Sequence, residues 1–148
     1  MAAKTSGIVT GYARMWPREI FDAKNGNQLL ARGCEFLTQK GVYILYRDEH
    51  PYYIGKTSRS LFGRMRGHAV RPEARYYNFW NMFSAFAVPD GTKRDELEAI
   101  LIAAMPTVNS AEPKLNKMRF PPQVVQFQKS LRATKVKDAL GPNLNKNK

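Results

Sequence analysis

Two short apolar runs, separated by a polar break, dominate the middle of the chain. Residues 42 to 46, VYILY, and residues 52 to 54, YYI, are rich in β-branched and aromatic side chains. Runs of this kind around a turn-forming segment are typical of two paired strands. Because alternate side chains of a strand point to opposite faces, Tyr43 and Tyr53 can share one surface of the hairpin. Gly55, directly after the second run, indicates either a close approach to its backbone by a substrate or another segment, or a plain turn glycine.

A helix is predicted directly after the hairpin. In residues 61 to 70, Leu61 and Met65 lie four positions apart, which is the spacing of a stripe that faces the core. Arg64 and His68 are also four positions apart, so they lie together on another face of the same helix. The pattern therefore predicts one apolar face on the core and one face that carries a cation and an imidazole.

Small residues mark the start and one side of this predicted helix. Ser58 or Ser60 precedes it and is expected to cap its first turn. Gly63 and Gly67 are poor helix formers, so they predict a close approach of the helix to the sheet or to a substrate backbone. Residues 56 to 75 contain one acidic and six basic residues, the latter being Lys56, Arg59, Arg64, Arg66, Arg71 and Arg75.

A third strand and a second helix are predicted farther along the chain. Apolar and small side chains alternate from Phe83 to Val88, which predicts a strand that ends at Pro89. Residues 92 to 105 then predict a helix with Thr92 as its N-cap and Asp95 in the capping-box position. Its second half is apolar on every side, so we expect it to be deeply buried.

Glu98 is the carboxylate of this helix that is expected to face the core side. Leu101 and Ile102 follow it at the i+3 and i+4 positions, so Glu98 lies over the apolar stripe. Carboxylates are rarely placed there without a partner. We therefore expect either an arginine or a metal ion beside Glu98.

The flanking segments are predicted to add helices. A helix starting at Pro17 and a second over residues 28 to 37 surround a turn at residues 25 to 27. Residues 117 to 148 contain eight lysines and arginines against one aspartate, and they predict a short basic helix around residues 124 to 131 before a frayed tail. Three basic residues of the first segment are candidate DNA contacts, namely Arg14, Arg18 and Lys24.

These elements together predict an α+β fold with a small three-stranded, mixed or antiparallel sheet flanked by helices. We divide the chain into an N-terminal extension, residues 1 to 40, which packs on the core or targets it, and a core, residues 41 to 116. A basic C-terminal helix and flexible tail, residues 117 to 148, complete the predicted organisation.

Charge indicates the class of partner. The 148 residues carry a net charge of +12, which attracts a polyanion and, for nucleic acid, favours binding through counterion release. A merely soluble basic protein is the plainer alternative. The single cysteine, Cys34, excludes an internal disulfide and a cysteine-based metal site, so we expect an intracellular location in the cytoplasm or nucleoid. No apolar run reaches the ~18 residues of a membrane span.

The motifs of the central segment resemble those of the GIY-YIG nuclease superfamily. GVY at residues 41 to 43, with valine for the usual isoleucine, and YIG at residues 53 to 55 stand for its two naming motifs. Arg64, nine residues after Gly55, resembles the arginine of the family. His68, four residues later, resembles the histidine or tyrosine that often follows.

The resemblance continues into the second predicted helix. Glu98, in the context ExxLI, resembles the acidic helix residue of the family. Asn109 and Asn116 both fit the asparagine that lies beyond this helix. The resemblance covers about residues 41 to 116, and the flanks outside it are where such nucleases carry their targeting.

The resemblance implies a metal-dependent endonuclease that hydrolyses phosphodiester bonds in DNA. It implies that Glu98 holds one Mg²⁺ or Mn²⁺ ion, that Arg64 binds the phosphate, and that Tyr43 or His68 activates water with support from Tyr53. The residue chemistry agrees, since Mg²⁺ prefers oxygen ligands and a planar guanidinium matches phosphate oxygens. The choice between Tyr43 and His68 as the base stays open, as does the oligomeric state. Further nucleic-acid contacts are expected at Lys56, Arg59, Arg66, Arg71 and Asn109.

A non-catalytic, basic nucleic-acid-binding module is the competing interpretation. It predicts salt-dependent binding without any metal-dependent product. The joint presence of Tyr43, Tyr53, Arg64 and Glu98 favours the nuclease, because a degenerate copy is expected to lose one of them. DNA is preferred to RNA on family precedent only.

Overall fold

A computed structural model of the chain describes residues 7–74 and 79–140. The described strands are β1 Gly11–Pro17, β2 Lys24–Asn25, β3 Gln28–Leu29, β4 Gly41–Arg47, β5 His50–Thr57 and β6 Met82–Ala87. The described α-helices are α1 Leu61–Val70, α2 Gly91–Ala104 and α3 Pro122–Leu140, and 3-10 helices lie at Arg18–Phe21, Ala31–Gly33 and Glu35–Thr38. The predicted frayed tail, residues 141 to 148, and the basic residue Arg75 lie outside the described residues.

Four antiparallel strands form the main sheet, in the order β1-β6-β4-β5. The α+β class is therefore confirmed, and the hairpin and the third strand are present, but the sheet has one more strand than the three predicted. The additional strand, β1, carries a bulge between Ala13 and Trp16, and Met15 has a positive φ of 54°. The bulge breaks the two-residue alternation that would have identified a strand.

The helix predicted over residues 28 to 37 is not formed. This stretch instead contains β3, which pairs with β2, and two short 3-10 helices. Cys34 separates the two 3-10 helices with an extended backbone, at φ −88° and ψ 103°. The apolar residues of the segment are therefore spaced for successive tight turns that cover the core. The turn predicted at residues 25 to 27 is present between β2 and β3.

Each face of the main sheet has its own apolar cluster. Tyr43 and Leu45 of β4 face the side on which Leu61 and Met65 of α1 pack. The alternate residues of the strands, such as Ile44, face the opposite side and pack against Leu97, Leu101, Ile102 and Met105. The sheet therefore lies between α1 and α2, and the predicted orientation of Tyr43 is confirmed.

Helix α2 begins earlier and is more exposed than predicted. Its N-cap is Asp90, whose carboxylate accepts a hydrogen bond from the Lys93 amide at 3.1 Å, so Thr92 is not the cap. Of its second half, only Ala99 is buried, and Ile100 is 46% exposed. The sheet covers one side of this helix, which leaves the outer apolar residues open within the described part of the chain.

The chain divides into two compact units, Met1–Leu115 and Asn116–Lys148. In the second unit, taken by itself, α3 runs over 19 residues and is longer than the predicted helix. Its side chains are exposed from Pro122 to Ala139. Among the described residues, no helix is both long and apolar enough to span a bilayer.

Substitution of Gly55 tests the packing between β4 and β5. A Cβ at this position would overlap the ring and hydroxyl of Tyr43, which is the close approach that the glycine predicts. We expect Gly55→Ala to lower the free energy of unfolding by about 1–3 kcal/mol, because the buried ring must shift. Urea denaturation measures the change. Gly33→Ala is the control, because a Cβ there meets nothing within 4 Å; equal stability of the Gly55 variant and wild type would contradict this packing.

Candidate active site

The Tyr43 hydroxyl is the meeting point of the sequence motifs. Its oxygen lies 2.8 Å from Nε2 of His68 and 3.3 Å from Nε of Arg64. Strand β4 supplies the tyrosine, and α1 supplies the other two residues from one face because they are one turn apart. The cap of α1 is the Ser60 side chain, which accepts a hydrogen bond from the Gly63 amide at 3.0 Å. The predicted grouping of these three side chains is present in the fold.

Burial determines the protonation of this group. Desolvation, and then the charge of Arg64, lower the pKa of His68 from 6.5 to about 4, so its imidazole is neutral at pH 7. Desolvation likewise raises the pKa of the Tyr43 hydroxyl, although the hydrogen bond from Arg64 opposes the rise. Arg64 donates its Nε–H to the phenolic oxygen, so we assign the Tyr43 O–H as the donor to Nε2 of His68.

Tyr53 completes the aromatic wall of the site. It lies on the same face of the sheet as Tyr43, and the two ring centroids are 6.3 Å apart. Its centroid is 5.9 Å from that of His68. Tyr43 is fully buried, whereas Tyr53 is partly exposed and lines a cleft beside α1. The two motif tyrosines therefore differ in their access to a ligand.

Two clefts meet at α1 and share the wall formed by Arg64, Gly67 and Arg71. The aromatic cleft, of about 470 Å³, is also lined by Tyr53, His68, Glu73, Ala74, Asn109, Ser110 and Ala111. The basic cleft, of about 620 Å³, is also lined by Lys56, Thr57, Ser58, Arg59, Ser60 and Gly63. The exposed residue Arg64 thus lies between an aromatic and a cationic surface.

Glu98 lies beside the edge strand β5 and is ion-paired. Nζ of Lys56 is 3.3 Å from its carboxylate and 2.9 Å from the carboxylate of Asp95, one turn earlier on α2. The prediction of an arginine partner for Glu98 is therefore wrong, because the observed protein partner is Lys56. Burial is the main cause of the raised pKa of Tyr43, and the charge of Glu98 adds only the smallest contribution.

The residues present fit a single hydrated divalent cation. The Glu98 side chain is 20% exposed and already attracts a cationic group, and Asp95 offers Lys56 a second carboxylate. Among residues 7–74 and 79–140, no group of three or more His, Cys, Asp or Glu residues is gathered around one point. Mg²⁺ keeps most of its waters and binds through one or two carboxylates together with substrate phosphate. Glu98 alone can therefore serve as the protein ligand.

The other predicted contacts have different surroundings. Lys56, Arg59 and Arg71 line the basic cleft, whereas Arg66 lines neither of the two clefts. Asn109 holds the backbone of β5, because its amide oxygen accepts from the Ile54 N–H at 2.9 Å and its amide nitrogen donates to the Ile54 carbonyl at 2.8 Å. These bonds fasten the segment after α2 to the sheet edge beside the aromatic cleft.

Arg18 is a positioning residue that sequence reasoning assigned to the DNA-contacting edge. Its guanidinium donates to the Ala69 carbonyl at 2.7 Å and to the Trp80 carbonyl at 3.3 Å, and it lies 5.4 Å from the Trp80 ring centroid. Ala69 is in the last turn of α1, where carbonyls lack helical partners. Arg18 therefore anchors the end of the helix next to His68. No local sequence signal connects these distant residues.

Comparison of the chain with protein-family models, with curated proteins and with solved structures finds no match.

Arg18 offers a test of how α1 is held. We expect Arg18→Gln to lower the free energy of unfolding by about 1.5–3 kcal/mol, because two charge-assisted hydrogen bonds are lost, one to Ala69 at the helix end and one to Trp80. Amide hydrogen exchange should also speed up in the last turn of α1. Arg14→Gln is the matched control, since Arg14 is exposed on the same segment. Equal losses in the two variants would show that only net charge matters.

The neutral state of His68 predicts a loss of stability in acid. The pKa of His68 is about 4 in the folded protein and 6.5 in the unfolded chain, so unfolding takes up a proton between these pH values. The contribution of His68 is therefore unchanged above pH 6.5 and declines as the pH falls toward 4. Urea denaturation of wild type and His68→Gln from pH 7 to pH 4 measures it. The wild type should lose more stability than the variant, and parallel losses would contradict the shifted pKa.

Proposed function

We propose that the protein is a metal-dependent endonuclease that hydrolyses phosphodiester bonds in DNA. The observation that carries the proposal is the hydrogen-bonded group of Tyr43, Arg64 and His68, in which the exposed residue Arg64 lines both clefts. The GIY-YIG resemblance of the same residues supports this chemistry. The net charge of +12 and the cationic lining of the basic cleft support a polyanionic substrate.

Arg64 is the phosphate ligand in this proposal. Its guanidinium donates from Nε to Tyr43 and also interacts with the Tyr53 hydroxyl, and the exposed side chain retains further donors for non-bridging phosphate oxygens. Its planar fork suits phosphate better than an ammonium does. The positive charge of Arg64 therefore stabilises the additional negative charge that develops on the phosphate in the transition state.

Tyr43 and His68 act as one proton-accepting unit. The attacking water gives its proton to the phenolic oxygen, and the phenol passes its own proton to Nε2 of the neutral His68. Arg64 stabilises negative charge on the phenolic oxygen during this exchange. Because Tyr43 is fully buried, the proposed step requires that substrate binding open a path for water to its hydroxyl. The oxygen of the water forms the new bond to phosphorus while the bond to the leaving ester oxygen breaks.

Glu98 holds the divalent cation in this proposal, either Mg²⁺ or Mn²⁺. When bound, such a cation supplies a Lewis acid that neutralises charge on the phosphate and leaving oxygens. With such a cation bound, Lys56 would give up its contact with Glu98 and keep the shorter one with Asp95. It also lines the basic cleft, so its ammonium stays close to the substrate backbone.

A non-catalytic nucleic-acid-binding module is the second candidate. It is favoured by the internal satisfaction of the motif residues: Tyr43 is buried with two hydrogen-bond partners, and Glu98 is paired with Lys56. Side chains with purely structural roles are paired in the same way. This candidate predicts binding through the basic cleft without any product.

Cleavage of supercoiled plasmid and of labelled branched and single-stranded DNA, with Mg²⁺ or Mn²⁺ and with EDTA, tests the proposal. We expect metal-dependent nicking by wild type, and a rate at least about 100-fold lower for Glu98→Gln and Arg64→Gln, because each loses charge stabilisation of the transition state. The matched controls are Glu49→Gln and Arg47→Gln, two exposed residues that line none of the clefts around Arg64 and Glu98. Circular dichroism verifies that each variant is folded.

The result separates the two candidates. Metal-dependent cleavage that is lost in the two site variants and kept in the two controls supports the nuclease. Wild-type-like cleavage by Glu98→Gln or Arg64→Gln would contradict the roles assigned to these residues. Salt-sensitive binding of these DNAs with no metal-dependent product would support the binding module.

A further inference from the structure

Gly67 occupies a helical position at which the described structure does not require a glycine. A Cβ built at Gly67 meets no heavy atom within 4 Å, in contrast to Gly55, where it would overlap Tyr43. The φ of Gly67 is not positive, so any residue can adopt its backbone conformation. Glycine nevertheless destabilises a helix interior relative to alanine. The absence of a side chain therefore has no explanation in the packing of the described residues.

The position of Gly67 suggests what the open space serves. Gly67 forms the common wall of the two clefts together with Arg64 and Arg71, which lie three residues before and four residues after it. Arg64 and Gly67 lie on one face of α1, and Arg71 is the extended residue that directly follows the last turn of the helix. A ligand that extends from one cleft into the other must therefore pass over Gly67, between two guanidinium groups.

The linings of the two clefts differ in chemistry. The described lining of the basic cleft combines Lys56 and arginines with hydroxyl side chains and contains no acidic residue, which suits a sugar-phosphate backbone. The aromatic cleft contains Tyr53 and His68, whose rings offer stacking surfaces. It also contains Glu73, which repels phosphate and can accept a hydrogen bond from a base amino group. One cleft thus suits phosphates, and the other suits a base.

We infer that one nucleic-acid strand crosses α1 over Gly67, with its phosphates along the basic cleft and an unpaired base in the aromatic cleft. The phosphate between them then faces Arg64. The cleft volumes, about 470 and 620 Å³, fall within the range of sites that take one ligand-sized group. A base that is paired and stacked in a duplex cannot enter such a cleft, so the preferred substrate is single-stranded at this point. The inference deepens the proposed nuclease function, on which its account of the reacting phosphate rests.

Substitutions at Gly67 test this strand path without requiring cleavage. Binding of a short, fluorescently labelled single-stranded DNA is measured by anisotropy in EDTA for Gly67→Ala and Gly67→Gln. We expect binding about tenfold weaker for the alanine variant and weaker still for the glutamine variant, because each side chain fills the crossing point. The same variants should unfold at temperatures about 2 to 4 °C higher than wild type, since both residues favour the helix.

Gly33→Ala and Gly33→Gln are the matched controls. Gly33 is exposed, has open space at its Cβ and lines neither cleft, so these changes should leave binding unaltered. A duplex of the same sequence is the control for the substrate, and we expect wild type to bind it more weakly than the single strand. Together the controls separate a local obstruction from a general effect of added bulk.

Each outcome bears on the inference. Weaker binding together with higher stability at Gly67 supports it, whereas unchanged binding, or lower stability of both Gly67 variants, overturns it. Equal affinity of wild type for duplex and single strand overturns the single-stranded assignment.

Cleavage by wild type in Mg²⁺ is measured separately. If cleavage is absent but the Gly67 effect is present, the nuclease proposal fails and the strand path stands. If cleavage is present and the Gly67 effect is absent, the strand path alone fails.

Discussion

The structure depends on one constraint. The hydroxyl of Tyr43 is buried away from water, so it must find its hydrogen-bond partners within the protein. A buried polar group without a partner is strongly unfavourable, so α1 has to lie where His68 and Arg64 reach the phenol. The same constraint requires a bare backbone at Gly55, against which the ring packs. Arg18 fixes the far end of α1 through the Ala69 carbonyl, so the helix cannot shift without breaking these bonds. The hydrogen-bonded group of Tyr43, His68 and Arg64, whose geometry suits proton transfer, is therefore also part of the packing between α1 and the sheet.

Lys56 connects this group to the other side of the sheet. It lies on the edge strand β5, lines the basic cleft, and is ion-paired with Asp95 and Glu98 of α2. An edge strand lets side chains from both faces approach one ligand, because only one of its edges is paired in the sheet. In the proposed function, Glu98 and Arg64, which come from helices on opposite faces, act on one phosphate. In the same proposal, Asp95 would retain Lys56 if Glu98 bound a cation.

Local sequence patterns predicted those features that depend on neighbours along the chain. The alternation in β4 and β5 placed Tyr43 and Tyr53 on one face, and the four-residue spacing in α1 brought Arg64 and His68 together. Features that depend on distant contacts were missed or wrong. The bulge in β1 concealed the fourth strand, the partner of Glu98 is a lysine on another element, and the role of Arg18 depends on a carbonyl 51 residues away. The exposure of Ile100 follows from which helix faces the sheet covers, and a periodic pattern does not contain that information.

The central claim is that Tyr43, Arg64 and Glu98 act on the same phosphate. A crystal structure of the protein with Mn²⁺ and a cleavage-resistant phosphorothioate oligonucleotide tests it most directly, because the anomalous signal locates the metal independently of any activity. The account predicts Mn²⁺ on the Glu98 carboxylate, Lys56 retained by Asp95, and a phosphate beside Arg64 next to the Tyr43–His68 pair. Mn²⁺ bound elsewhere, or a strand whose phosphates lie away from Arg64, would contradict it.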